Sequence, residues 1–137
     1  MRTLTQIADD IREHIRGSFP QIRYSTARTP EQIANEIQAL SHSSLPAVVM
    51  FLEGIQFRQQ NPVRTITVTL MLVDRFYAGS GDRTRSAWDH CETLYGLFPQ
   101  SGLRLNGVFY LPDCVYTSGE TPSDGSSLFF FRLVLQQ

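Results

Sequence analysis

Lysine is absent from this chain: all twelve basic residues are Arg. That excludes Schiff-base chemistry and a phosphate-loop lysine, and leaves Arg as the only long cation for ion pairs and interfaces. Cysteine is scarce. Cys91 and Cys114 are the only two, and with no signal peptide at the N-terminus they point to a reducing interior rather than a disulfide scaffold. No apolar run reaches the roughly 18 residues that a membrane span needs. The net charge of −1 lacks the basic footprint of a dedicated nucleic-acid binder. Glycine-rich phosphate loops, His-Glu-x-x-His and Gly-x-Ser-x-Gly are all missing. What these absences leave is a soluble intracellular domain. At 137 residues it is long enough to bury about 68% of its unfolded surface around one core.

What is present is organised around Val63 to Phe76, VRTITVTLMLVDRF. Its period is two: Ile66, Val68, Leu70 and Leu72 fall on one face, and Thr65, Thr67 and Thr69 on the other before that face turns apolar at Met71 and Val73. This predicts a central strand with one face buried throughout and the other half wet. Before it, Pro46 opens an apolar run from Ala47 to Leu52 that reads as a strand covered on both faces. Gly54 suggests a bulge. Gln59-Gln60-Asn61-Pro62 looks like the connection between the two strands.

Helices are signalled on either side. Thr3 and Gln6 fit a capping box, and Leu4, Ile7, Ala8, Ile11 and Ile15 recur at helical spacing until Gly17. His14 on that helix reads as a flanking surface residue. Gln21 to Thr29 reads as polar and irregular, after which Thr29-Pro30 with Gln32 starts a second helix bearing the thin stripe Ile33, Ile37 and Leu40. His42 falls in the loop that ends it. A third helix follows the loop Tyr77 to Gly81, with Asp82 as its cap and Ala87, Trp88, Cys91, Leu94, Tyr95 and Phe98 as a broad buried stripe.

Leu103 to Leu111 then reads as one strand with Leu103, Leu105, Phe109 and Leu111 inward. Cys114 to Thr117 either resumes that strand or begins a short new one. The last strand, Leu128 to Leu135, follows the loop Ser118 to Ser127. The expected fold is a single α+β domain over residues 1–137. It holds a mainly antiparallel sheet of four or more strands with two to three helices packed on it, the first and third through Ile7, Ile11, Trp88, Cys91 and Leu94.

Chemistry-bearing clusters are few. Consecutive helical residues diverge by about 100°, so His90 and Cys91 cannot converge on one metal ion or act as a nucleophile pair. Cys91, on the apolar stripe, reads as a small buried hydrophobe. Glu53 and Asp74 could approach each other across neighbouring strands, although acids at strand ends are more often solvated. No catalytic residue, metal ligand or cofactor is expected. The arm from Gly54 to Val63 is richer in polar and anchoring residues than a tight hairpin requires. Phe57, Arg58, Gln59 and Arg64 on it, with Tyr77, Arg83 and Arg85 in the loop running on to Arg85, are the candidates for a subunit interface.

The order of elements carries a resemblance. LPAVVMFLEGIQF, VRTITVTLMLVDRF, a helix ending YGLF, LRLNGVFY and a terminal FFFRLVL together resemble the tail-terminator proteins of tailed bacteriophages, most closely the Mu-like prophage version, over nearly the whole chain. The resemblance implies a structural protein, not an enzyme. Its subunits would form a homohexameric ring that caps the tail tube, and its partners would be tail-tube and head-tail connector proteins. Genome DNA would only pass through the ring, and no membrane would be involved. The implied location is the head-proximal end of the virion tail, and the host cytoplasm during assembly. Two alternatives stand beside it: another head-tail or tail assembly subunit, and a small intracellular enzyme using acids near Glu53 and Asp74.

Overall fold

The computed structural model describes residues 1–20, 22–39, 46–58, 61–75, 81–117 and 126–137. Among these residues, three helices and six strands follow one another: α1 (Leu4–Arg16), β1 (Arg23–Ala27), α2 (Pro30–Ala39), β2 (Ala47–Arg58), β3 (Asn61–Arg75), α3 (Gly81–Gly96), β4 (Leu103–Leu105), β5 (Val108–Thr117) and β6 (Ser126–Gln136). The strands make one sheet in the order β1-β2-β3-β6-β5-β4. Every neighbouring pair is antiparallel except β1 with β2. The fold is therefore the expected α+β arrangement.

The period of two in β3 determines which way the sheet faces. Ile66, Val68, Leu70 and Leu72 are each at most 1% exposed and join Phe129, Phe131, Leu133 and Leu135 of β6 in the main core. On this front face α1 contributes Ile7, Ile11 and Ile15, and α3 contributes Cys91 and Leu94, with Phe98 just beyond its end. The capping box forms as read, with the Gln6 amide donating to Thr3 Oγ1 and the Thr3 amide to Gln6 Oε1. On the back face a smaller cluster of Ala27, Val49 and Met71 is joined by Ile33 of α2 and by Phe51 and Phe130. Thr65 and Thr67 remain half-buried there. One covered face and one part-covered face match the alternation of apolar residues and threonines in β3.

Several expectations are corrected. The stretch read as irregular, Gln21 to Thr29, contains β1. It is a mostly polar edge strand whose pairing with β2 supplies the order that its own pattern does not announce. Leu103 to Leu111 is not one strand, because Asn106 (φ 51°) and Gly107 (φ 82°) form a two-residue hairpin turn. Asn-Gly suits the positive φ that such a turn demands. The turn resets the alternation: Val108 and Tyr110 point inward, fully buried, while Leu111 is exposed. Cys114 to Thr117 belongs to the same β5, past a register shift at Pro112.

Trp88 is 58% exposed and takes no part in the core. The buried stripe of α3 is narrower than expected, running through Cys91, Leu94 and then Phe98. His14 is half-buried and donates from Nε2 to the Leu97 carbonyl oxygen at 2.7 Å, with its ring edge-on to Phe98. It closes the end of α3 and is not a free surface side chain.

Candidate functional site

The arm is more regular than its composition suggests. β2 runs through to Arg58 and β3 starts at Asn61, with Phe57 opposite Arg64 and Arg58 opposite Asn61. The polar residues are thus mostly strand, and the connection is short. Gln59 lies outside the described residues, as do Tyr77 and His42, and the side chain of Arg58 is not described. Phe57 is 74% exposed, on the same side of β2 as Ile55, which packs on the front core.

Arg64 is employed within the subunit. Its Nη2 donates to the Arg2 carbonyl oxygen at 2.8 Å, and its backbone exchanges two hydrogen bonds with Gln137. Arg2 in turn pairs with Asp10 at 2.5 Å, and Asn106 also donates to Asp10. This clasp ties the start of α1, the arm and the β4–β5 turn together. Arg83 and Arg85 fall within α3, which begins at Gly81, so the loop expected to run from Tyr77 to Arg85 is shorter. Their side chains are not described.

Glu53 and Asp74 are not brought together. Glu53 is the extra residue of a bulge between Leu52 and Gly54, the bulge that Gly54 suggested. β5 carries a bulge of its own with Asp113 as the extra residue, and the bulges of Glu53 and Asp113 lie on either side of the Leu133 row. Arg132 on β6 lies between them, with Nε 3.3 Å from Glu53 and Nη1 3.8 Å from Asp113 on the back face. Thr69 also donates to Glu53. Asp74, next to last in β3, is only 5% exposed, and its Oδ2 is 2.6 Å from His90 Nδ1. Phe19 packs edge-on against the His90 ring. The pair pins α3 to the end of the central strand and to the chain leaving α1.

Burial raises the Cys91 thiol above its ordinary value, so it stays protonated and poorly nucleophilic near neutrality. Desolvation likewise raises the Tyr24, Tyr95 and Tyr110 phenols. Tyr24 donates to Met50 Sδ. Among the described residues, no group of three or more His, Cys, Asp or Glu side chains could hold a metal ion. No described helix is long and apolar enough to cross a membrane. A cleft of about 600 Å³ opens on the front face beside the arm, lined by Leu4, Ala8, Leu52, Ile66 and Val68 with Asp9 and Arg28.

Sequence reasoning missed the ion pairs of Arg2 and Arg132 and the Asp74–His90 pair. Each joins residues far apart in the chain, and only the sheet register brings them together. For His90 a faint signal existed: it lies one residue before Cys91 on α3 and so on the flank of the buried stripe. In comparisons with known proteins, no family model matches the chain and no curated protein is similar to it.

Proposed function

We propose that this chain is a structural subunit of a phage or prophage particle, a tail terminator whose copies form a ring, hexameric by resemblance, at the head-proximal end of the tail. The observation that carries this reading is Phe57, a large aromatic left 74% exposed on an arm of β2 that is paired with β3. An aromatic held out on a rigid strand loses little conformational freedom when a neighbour covers it, which suits it to anchor an interface. The acids singled out as possible catalysts support the same reading: Asp74 holds His90, and Glu53 holds Arg132 and Thr69. In the ring the chain would meet tail-tube and connector proteins and let the genome pass, with the host cytoplasm as its place of assembly.

Sedimentation velocity and negative-stain electron microscopy of the purified chain test this directly. Rings of uniform size are the expected result. A chain that stays monomeric at all concentrations, and that no tail protein converts to a ring, overturns the reading.

A further inference from the structure

The two edges of the sheet are stepped. β1 covers β2 only over Ala47–Phe51, leaving Leu52–Arg58 without a strand on that side among the described residues. β4 covers β5 only over Val108–Tyr110, leaving Leu111–Thr117 open in the same sense. Unpaired edges of this length are templates for strand addition.

The two steps are at complementary heights. Following one row of the ladder across the sheet, Ile55 aligns with Ile66, Leu135, Tyr110 and Leu103. Thus β4 occupies the rows of the open part of β2. By the same tracing, Tyr24 aligns with Val48, Leu72, Phe129 and Thr117, and Ala27 with Phe51, Thr69, Arg132 and Cys114. Thus β1 occupies the rows of the open part of β5. The rows of Leu52 and Gly54, which meet Pro112 and Leu111, separate the two sets.

We propose that a second copy of this chain docks on these edges head to tail, with β4 of one copy entering the notch beside β2 of the next while β1 of that next copy enters the notch beside β5. This rests on the ring reading and names its joint. The two short strands then lie end to end in one strand position, without overlap and without any slide along the strands. Strand directions are compatible: β4 runs parallel to β2, and β1 antiparallel to β5, as follows from the pairings within one subunit.

The alternation matches as well. Leu103 and Leu105, on the front face, come beside the neighbour's Ile55 and the exposed Phe57. Arg104, on the back face, comes beside Gln56. The front-face cleft at Leu52 lies under the same notch. A contact between different surfaces of identical subunits generates a ring when the rotation closes.

A double-cysteine variant, Gln56→Cys with Arg104→Cys in a Cys114→Ser background, tests the joint and leaves Phe57 and Leu105 in place. Within one chain these positions stand at opposite sides of the sheet, four strand spacings or about 19 Å apart, beyond the roughly 7 Å between Cα atoms that a disulfide tolerates. Mild oxidation followed by non-reducing electrophoresis should give a ladder of covalent multimers, and either single-cysteine variant should give no ladder beyond a dimer. Circular dichroism checks that each variant is folded. Rings in the microscope without a ladder overturn the edge pairing and leave the ring reading standing. A ladder from open chains, with no closed rings, supports the pairing and removes the terminator reading. Monomers with no ladder overturn both.

Discussion

Arg132 is held by two carboxylates, each the extra residue of a bulge on its own strand. The trio is partly solvated, so Arg132→Ala should cost only about 0.2 to 1 kcal/mol, read as a small fall in melting temperature. Gly102 is the opposite case. Its φ is +96°, and a Cβ there would fall within 2.3 Å of the Phe109 ring. Gly102→Ala should therefore lose more than the roughly 1 kcal/mol of an ordinary misplaced alanine, and a melting temperature equal to that of the parent would refute the close approach.

The buried phenols set an alkaline limit. Tyr24, Tyr95 and Tyr110 all have folded values above the ordinary 10.0. The unfolded chain therefore gives up these protons first as pH rises, and stability that is complete below pH 10 falls above it. Tyrosinate absorbance for these residues should appear together with loss of near-ultraviolet dichroism above pH 10. Gradual ionisation of a still-folded chain would contradict their burial. The Asp74–His90 contact belongs to structure in this account. A folded His90→Ala variant should be less stable yet keep its oligomeric state, and loss of all biological activity with assembly intact would bring an enzyme back into consideration.

At the scale of elements, β3 is the most consequential. Leu70 has no exposure at the centre of the sheet, and Leu70→Ala should cost about 2 to 5 kcal/mol, seen as a lowered denaturation midpoint. This strand was legible because period two, β-branched residues and flanking turn residues all agreed. Two of the three helices were legible through their caps, Thr3 with Gln6 and Thr29 Oγ1 accepting from the Gln32 amide; α3 begins at Gly81, so Asp82, expected as its cap, lies within the helix. β1 was not legible, since its only signal is tertiary. The β4–β5 turn was missed although Asn106-Gly107 announces it, because the apolar residues on either side could be counted as one run. Trp88 shows the limit of stripe counting: residues three apart share a helical face, but the width of the buried part depends on how α3 lies on β3 and β6. Of the interface candidates, Phe57 lies exposed on the arm, whereas Arg64 had already been claimed by Arg2 and Gln137, a contact over a chain separation that no local pattern can reveal.

For the whole molecule, the order of strands in space differs from their order in the chain. β6, the last of the six to be synthesised, lies between β3 and β5, and its contacts with both run over most of its length. Until residues 126–136 emerge, β1-β2-β3 and the β4–β5 hairpin are two fragments, each with a long bare flank, and the front core lacks Phe129, Phe131, Leu133 and Leu135. Ribosome-bound chains stopped short of β6 should therefore be protease-sensitive, and chains long enough for β6 to emerge should gain protection in a single step. If copies join through the proposed edges, a sheet locked by its sixth strand also sets the order of events: no subunit could offer both edges to a neighbour before β6 has paired, so chains growing side by side on one message would be kept from joining through those edges until then.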